Sequence, residues 1–278
     1  MIPLRDRNPR HGPAYVTWLL VAVNVGVFLY QLSLGESRAG WAFVLDHAFI
    51  PAYFFDQPFQ HVTTLVTSAF MHGGLAHLVS NMIFLLVFGD NVEDRMGHIG
   101  YLFFYLGGAV VASLLHGLFE MGSQTPMVGA SGAVSAVLGA YILMFPRQQV
   151  LTFIPPLFVP WLLLSFFAPM RRFYAPWLPA WIYIGYWALV QFWEAGLGLV
   201  TTPGEAEQQV AWWAHVGGFV FGAGLVALGA GKRKPGRLNW AGHNQGKHNP
   251  GKHNPGKRNQ GRCNESSTKG QPWRSSVR

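Results

Sequence analysis

Uncharged apolar runs divide this chain: Pro13–Gly35, Gly73–Gly89, Ile99–Phe119, Met121–Pro146, Ala175–Phe192 and Gln208–Gly231. Each approaches the ~20 helical residues that cross a hydrocarbon core about 30 Å thick. The pattern predicts six membrane helices and an all-α membrane protein. A seventh stretch, Val150–Pro169, is apolar enough to compete but contains Pro155, Pro156 and Pro160. Internal prolines break the helical hydrogen-bond ladder, so we read it as a membrane-associated loop or a re-entrant piece on the cytoplasmic side. No small-residue cleavage site follows the first run, which argues against a signal peptide.

Composition agrees. Half the 278 residues are hydrophobic and 12% are charged, against roughly 25% charged in an average soluble domain. The net charge of +8 is unevenly placed: residues 1–231 carry 8 Lys+Arg and 11 Asp+Glu, residues 232–278 carry 12 and 1. The tail therefore holds all the net basicity. Arg5, Arg7 and Arg10 precede the first run; Lys232, Arg233, Lys234 and Arg237 follow the last; Arg147, Arg171 and Arg172 flank the proline-rich stretch. Basic flanks stay cytoplasmic, and an even number of crossings satisfies all three groups. We expect a multi-pass protein of a bacterial inner (plasma) membrane with both termini cytoplasmic.

Six crossings run the second, fourth and sixth helices from outside to inside. His77 and Asn81 open the second, Ser131 opens the fourth, and His215 lies in the first turns of the sixth. All four then share a depth near the outer face. Ser131 precedes Arg147 by 16 residues, about 24 Å of helix, which buries it several ångströms below the surface and requires a water-filled cavity. Polar groups at such depth are by default functional. A serine hydroxyl needs a base to become a nucleophile, and His215 is the histidine available in the last three helices. No carboxylate lies in the outer half of a run to orient it, so a Ser–His dyad is expected rather than a triad. His77 and Asn81, spaced i and i+4, share one face and offer donors for an oxyanion, as does the free backbone N–H at the head of Ser131's helix. Ser131, Ser135 and Gly139, beside Gly132, Ala136 and Ala140, face the stripe Gly218/Gly222, a small-residue pattern that lets two helices touch.

With these blocks assembled, the chain resembles the rhomboid intramembrane serine proteases. The blocks are His72-Gly-Gly-Leu-Ala-His77-Leu-Val-Ser-Asn81, Val92-Glu-Asp-Arg-Met-Gly97, Gly129-Ala-Ser131-Gly132, and Ala214-His215-Val-Gly-Gly218 with Gly222. The resemblance covers about residues 14–231. It implies a rhomboid-type six-helix bundle, Ser131 as nucleophile, His215 as base, His77 and Asn81 around the oxyanion, and substrates that are themselves transmembrane helices. The alternative is a rhomboid-like protein that binds membrane helices without cutting them. Two positions depart from some members. Thr63-Thr64 stand where a Trp-Arg pair is often found, and Ser135 stands where some relatives carry an aromatic against the histidine.

Domain organisation follows: a cytoplasmic segment 1–13, a membrane protease domain 14–231, and a disordered cationic tail 232–278 with a loose Gly-Lys-His-Asn-Pro repeat. The tail's His243, His248 and His253 suit a solvated linker near anionic lipid better than a metal site. Lone Cys263 excludes an internal disulfide. His72 is read as stabilising the loop before the second helix, His116 as interfacial, and Glu93 with Arg95 as an ion pair or turn stabiliser. Trp177, Trp181, Trp187, Trp193, Trp212 and Trp213 are read as interface anchors. We expect no cofactor and no metal; the partners are transmembrane proteins and the bilayer, with no nucleic acid.

Overall fold

A computed structural model describes residues 1–154, 176–198 and 211–231. The tail from 232 and most of the Val150–Pro169 stretch lie outside the described residues. The chain divides into a compact unit, Met1–Lys234, and a second, Pro235–Arg278. Every described element belongs to the first.

The unit is mostly helical. The apolar runs become α1 (Tyr15–Leu34), α6 (Leu75–Met96), α7 (His98–Phe119), α8 (Ser131–Met144), α9 (Ala180–Gly198) and α10 (Trp212–Ala227). Between α1 and α6 the chain makes four short helices, α2 (Arg38–His47), α3 (Pro51–Asp56), α4 (Pro58–His61) and α5 (Thr64–Thr67), and a 3-10 turn at Ser68–Phe70. Among the described helices, α1, α6 and α7 are long and apolar enough to cross a membrane. At 14 and 16 residues, α8 and α10 are shorter than their runs suggested. For α8 the reason is local. Residues 121–130 form a loop held in place by Met127, which exchanges backbone hydrogen bonds with Phe49 (2.8 and 3.1 Å), and by Gly129 N–H donating to Ser68 O (2.9 Å). Ser131 therefore begins a helix of 14 residues, only about 21 Å long.

The all-α expectation needs correcting. A three-stranded antiparallel sheet, in order β1-β2-β3, joins β1 (Ile2–Asp6), β2 (Gln149–Phe153) and β3 (Trp177–Pro179). Ile2 pairs with Phe153 and Asp6 with Val150; Val150 also pairs with Leu178. Val150 and Thr152 are fully buried while Gln149, Leu151 and Phe153 are half-buried. That two-residue alternation of β-branched side chains is a strand signature. Residues 1–13, expected as a cytoplasmic segment outside the helical domain, thus carry an edge strand, and the proline-rich stretch starts as the central one.

Glu93 fastens α1 to α6. Its carboxylate, 1% exposed, accepts from the backbone N–H of Val16 (2.9 Å) and Thr17 (2.8 Å) and from Thr17 Oγ1 (2.7 Å), and lies 2.6 Å from His98 Nδ1. Ala14, at the N-cap of α1, has no side-chain acceptor of its own, so this remote anion satisfies the free donors of the first turn and meets the positive end of the helix dipole. Glu93 thus takes a structural role, as expected of it as ion pair or turn stabiliser, with α1 and His98 as its partners; Arg95 lies over the Phe145 ring, 5.7 Å from its centroid. Nearby, Asp6 Oδ2 accepts from Tyr141 Oη (2.5 Å) and Asn91 Nδ2 (2.9 Å), tying β1 to α8 and α6. Burial raises the Asp6 carboxyl to about 6, against the lowering effect of the Tyr141 hydrogen bond.

Apolar side chains also cover much of the outside. Trp18, Leu19 and Leu29 on α1, Ile99 and Phe103 on α7, and Trp181, Leu189 and Trp193 on α9 are all exposed. Such faces suit a hydrocarbon solvent rather than water.

Candidate active site

The α8–α10 contact positions the site, and glycine makes it possible. A Cβ on Gly218 would strike the Gly132 carbonyl, one on Gly222 the Ala136 carbonyl, and one on Gly139 the Phe219 carbonyl. Backbone thus meets backbone, as the small-residue stripes predicted. α7 packs on the same pair, with Gly108 against Ala136 and Gly217 against Leu115.

Ser131, the first residue of α8, and His215, one turn into α10, both line a cavity of about 780 Å³. His77 and Asn81 of α6 line it too, together with His116. The structure brings together all four residues singled out from the sequence. Gly129, at φ 132°, holds the chain against His77: an added Cβ would lie 2.7 Å from the imidazole Nε2 and 3.7 Å from Ser131 Oγ. His77 and the serine therefore meet across a glycine that no other residue replaces without strain. Asn81 is buried, and its Nδ2 has no partner among the described residues. Ser135 Oγ donates to Ser131 O (2.6 Å), a back-bond to the preceding turn.

His215 is buried, with Nδ1 2.6 Å from Gln191 Oε1 on α9. Trp187 and Trp212 flank its ring at centroid distances of 6.1 and 5.9 Å. Three expectations change here. Trp187 and Trp212 surround the histidine rather than anchor the interface, so aromatic packing comes from α9 and α10 instead of position 135. Trp213 stacks on Phe119 at 3.6 Å and Trp177 lies under Arg7 at 4.0 Å, whereas Trp181 and Trp193 face outward. His116, read as interfacial, instead lines the cavity with a buried Nδ1 that has no partner among the described residues.

Gln191 was missed. Its signal was a lone amide in the otherwise uncharged run Ala175–Phe192, the kind of intramembrane polar group that asks for a partner. His72 stays in its loop: Gln31 holds its N–H (3.1 Å) and carbonyl (3.4 Å), and its ring stands edge-on to His77 at 5.1 Å. Where the Trp-Arg pair is missing, buried Thr64 bonds His61 O (2.6 Å) and Thr67 bonds His47 O (2.7 Å), which anchors the segment before the 3-10 turn. Among the described residues no three His, Cys, Asp or Glu side chains converge as a metal site would require.

Helical fold, apolar exterior and a cavity lined by serine and histidine side chains define a membrane protein with a serine–histidine pocket between helices. The chain belongs to the rhomboid family: the pattern described as Rhomboid domain matches residues 60–232. It is 34% identical over 165 residues to RHOMBOID-like protein 12, mitochondrial, of Arabidopsis thaliana, covering 53% of this chain and 46% of that protein. It is 29% identical over 152 residues to Rhomboid protein 1, mitochondrial, of Saccharomyces cerevisiae, covering 52% and 40%. Against the human Presenilin-associated rhomboid-like protein, mitochondrial, identity is 28% over 110 residues, covering 38% and 29%. The chain spans less than half the length of these curated relatives. All three names are mitochondrial, which does not support the expected bacterial plasma membrane.

Proposed function

We propose that this chain is an intramembrane serine endopeptidase whose substrates are transmembrane segments of other proteins. The observation that carries the reading is the shared cavity of Ser131, His215, His77 and Asn81, against α8 and α10 in glycine-mediated contact. In this reading α1, α6, α7, α8, α9 and α10 are six spans, both termini lie on the basic, cytoplasmic side, and the site opens near the other face.

Ser131 Oγ attacks the scissile carbonyl carbon as its proton passes to His215 Nε2. The oxyanion takes hydrogen bonds from Asn81 Nδ2, His77 and the free first-turn N–H groups of α8, donors each worth roughly 3–4 kcal/mol in the transition state. His215 then protonates the departing amine, and a cavity water, deprotonated by His215, releases the acyl group and regenerates the serine. A helical substrate hides its carbonyls in intrahelical hydrogen bonds, so it must unwind locally before attack. α9, following the proline-rich stretch, is the gate through which it enters. The protease domain is residues 14–231 together with the edge strand β1, and the tail from 232 is dispensable for chemistry.

The test is cleavage of a single-span substrate by purified protein in liposomes. Ser131→Ala and His215→Ala each abolish cleavage and keep the fold. Clear turnover by Ser131→Ala, or none by the wild type with substrate still bound, would reject the protease in favour of a non-catalytic helix binder.

A further inference from the structure

The dyad leaves one choice open: which imidazole nitrogen of His215 carries the proton. A base for Ser131 needs a bare Nε2, so the proton must sit on Nδ1. Nδ1 lies 2.6 Å from Gln191 Oε1 at a buried position. An amide oxygen only accepts, so this contact selects the Nδ1–H form.

We propose that Gln191 is a positioning residue that locks His215 into the tautomer able to deprotonate Ser131; the inference rests on the Ser131–His215 reading. The carboxamide does here what a carboxylate does in a serine triad, without placing a further charge in the bilayer. Trp187, four residues earlier, shares the α9 face with Gln191 and packs against His215 and Phe219, each at 6.1 Å. Indoles set the ring plane while the amide sets the proton. Because Gln191 belongs to α9 and His215 to α10, the base is set only while α9 is docked. Displacing α9 to admit substrate releases the lock, and redocking restores it.

The experiment compares Gln191→Met, which keeps length and loses the acceptor, with Gln191→Glu, which keeps an acceptor. Both are made in the full chain and reconstituted with a transmembrane substrate. Gln191→Met should lower kcat by about 10²-fold, the penalty of a misplaced catalytic group, with KM little changed. Gln191→Glu should stay much closer to wild type. Nitrogen-15 spectra of His215 should show one Nδ1–H tautomer in wild type and Gln191→Glu, and a mixture in Gln191→Met. Packing alone predicts the reverse order, with Met tolerated and Glu impaired, and that result would overturn the proposal. Should Gln191→Met not fold, Gln191→Glu decides: one tautomer with activity supports the lock, and a mixture or an inactive enzyme overturns it. Failure of the dyad itself looks different, because wild type would then be no more active than Ser131→Ala.

Discussion

Gly218→Ala is the most informative single-atom change. Gly218 lies three residues after His215 and rests on α8 beside Ser131. An added Cβ would strike the Gly132 carbonyl oxygen, with the carbonyl carbon at 2.9 Å and Ser135 Cβ at 3.2 Å. The obstacle is backbone, so α10 must retreat by roughly 1 Å, because packed interiors do not absorb such an overlap. Alanine gains about 1 kcal/mol of helix propensity over glycine, and overpacking costs about 1–3 kcal/mol. The net loss of stability is therefore small. Activity responds more steeply: moving a catalytic group by about 1 Å can cost ~10²-fold, or ~2.7 kcal/mol of barrier. Gly218→Ala should lose about two decades of kcat while its unfolding midpoint falls by only a few degrees. Gly224, on the same helix, has nothing among the described residues within 4 Å of its Cβ position, so Gly224→Ala should keep both properties. Liposome cleavage and thermal unfolding in detergent read the pair. Wild-type kcat in Gly218→Ala, or an equal loss in Gly224→Ala, would refute the idea that close helix contact sets the dyad.

The carboxyl of Asp6 is raised from 3.8 to about 6, so the folded state binds more protons than the unfolded one between those values. Stability should fall as pH rises through about 4 to 6 and then level off. Asp6→Asn keeps an acceptor for Tyr141 and Asn91 and should flatten that slope in thermal unfolding scans; an unchanged slope would contradict the assignment. Glu93→Ala strips two backbone donors and a hydroxyl of their acceptor. At about 1–3 kcal/mol for such losses, its unfolding midpoint should drop by about 2–12 °C, with Glu93→Gln intermediate. A midpoint within about 1 °C of wild type would mean that α1 caps itself.

Much of the site was legible because its signals are local. Ser131, Ser135 and Gly139, like Gly218 and Gly222, repeat at four-residue spacing, and spacing alone puts each set on one face. What escaped depends on partners far apart in sequence. Glu93 seemed matched to Arg95 two residues away, yet its ligands Val16 and Thr17 sit 77 and 76 positions earlier. Gln191 and His215 are 24 apart on different helices. The sheet pairs residue 2 with 153, and the apolar character of Val150–Phe153 hid its strand alternation. The short α8 was hidden for a related reason: the loop before it carries no charge and so extends the run, but it follows Phe49 and Ser68 rather than its own helical bonds.

A fluorophosphonate probe tests the central claim most directly, since it forms a stable bond only with an activated serine. Protein in liposomes is treated with the probe and the adduct is mapped by mass spectrometry. One adduct is expected on Ser131 in the wild type, none in His215→Ala, and none on Ser135 or Ser113. Labelling that persists without His215, or that falls on another serine, would contradict the dyad.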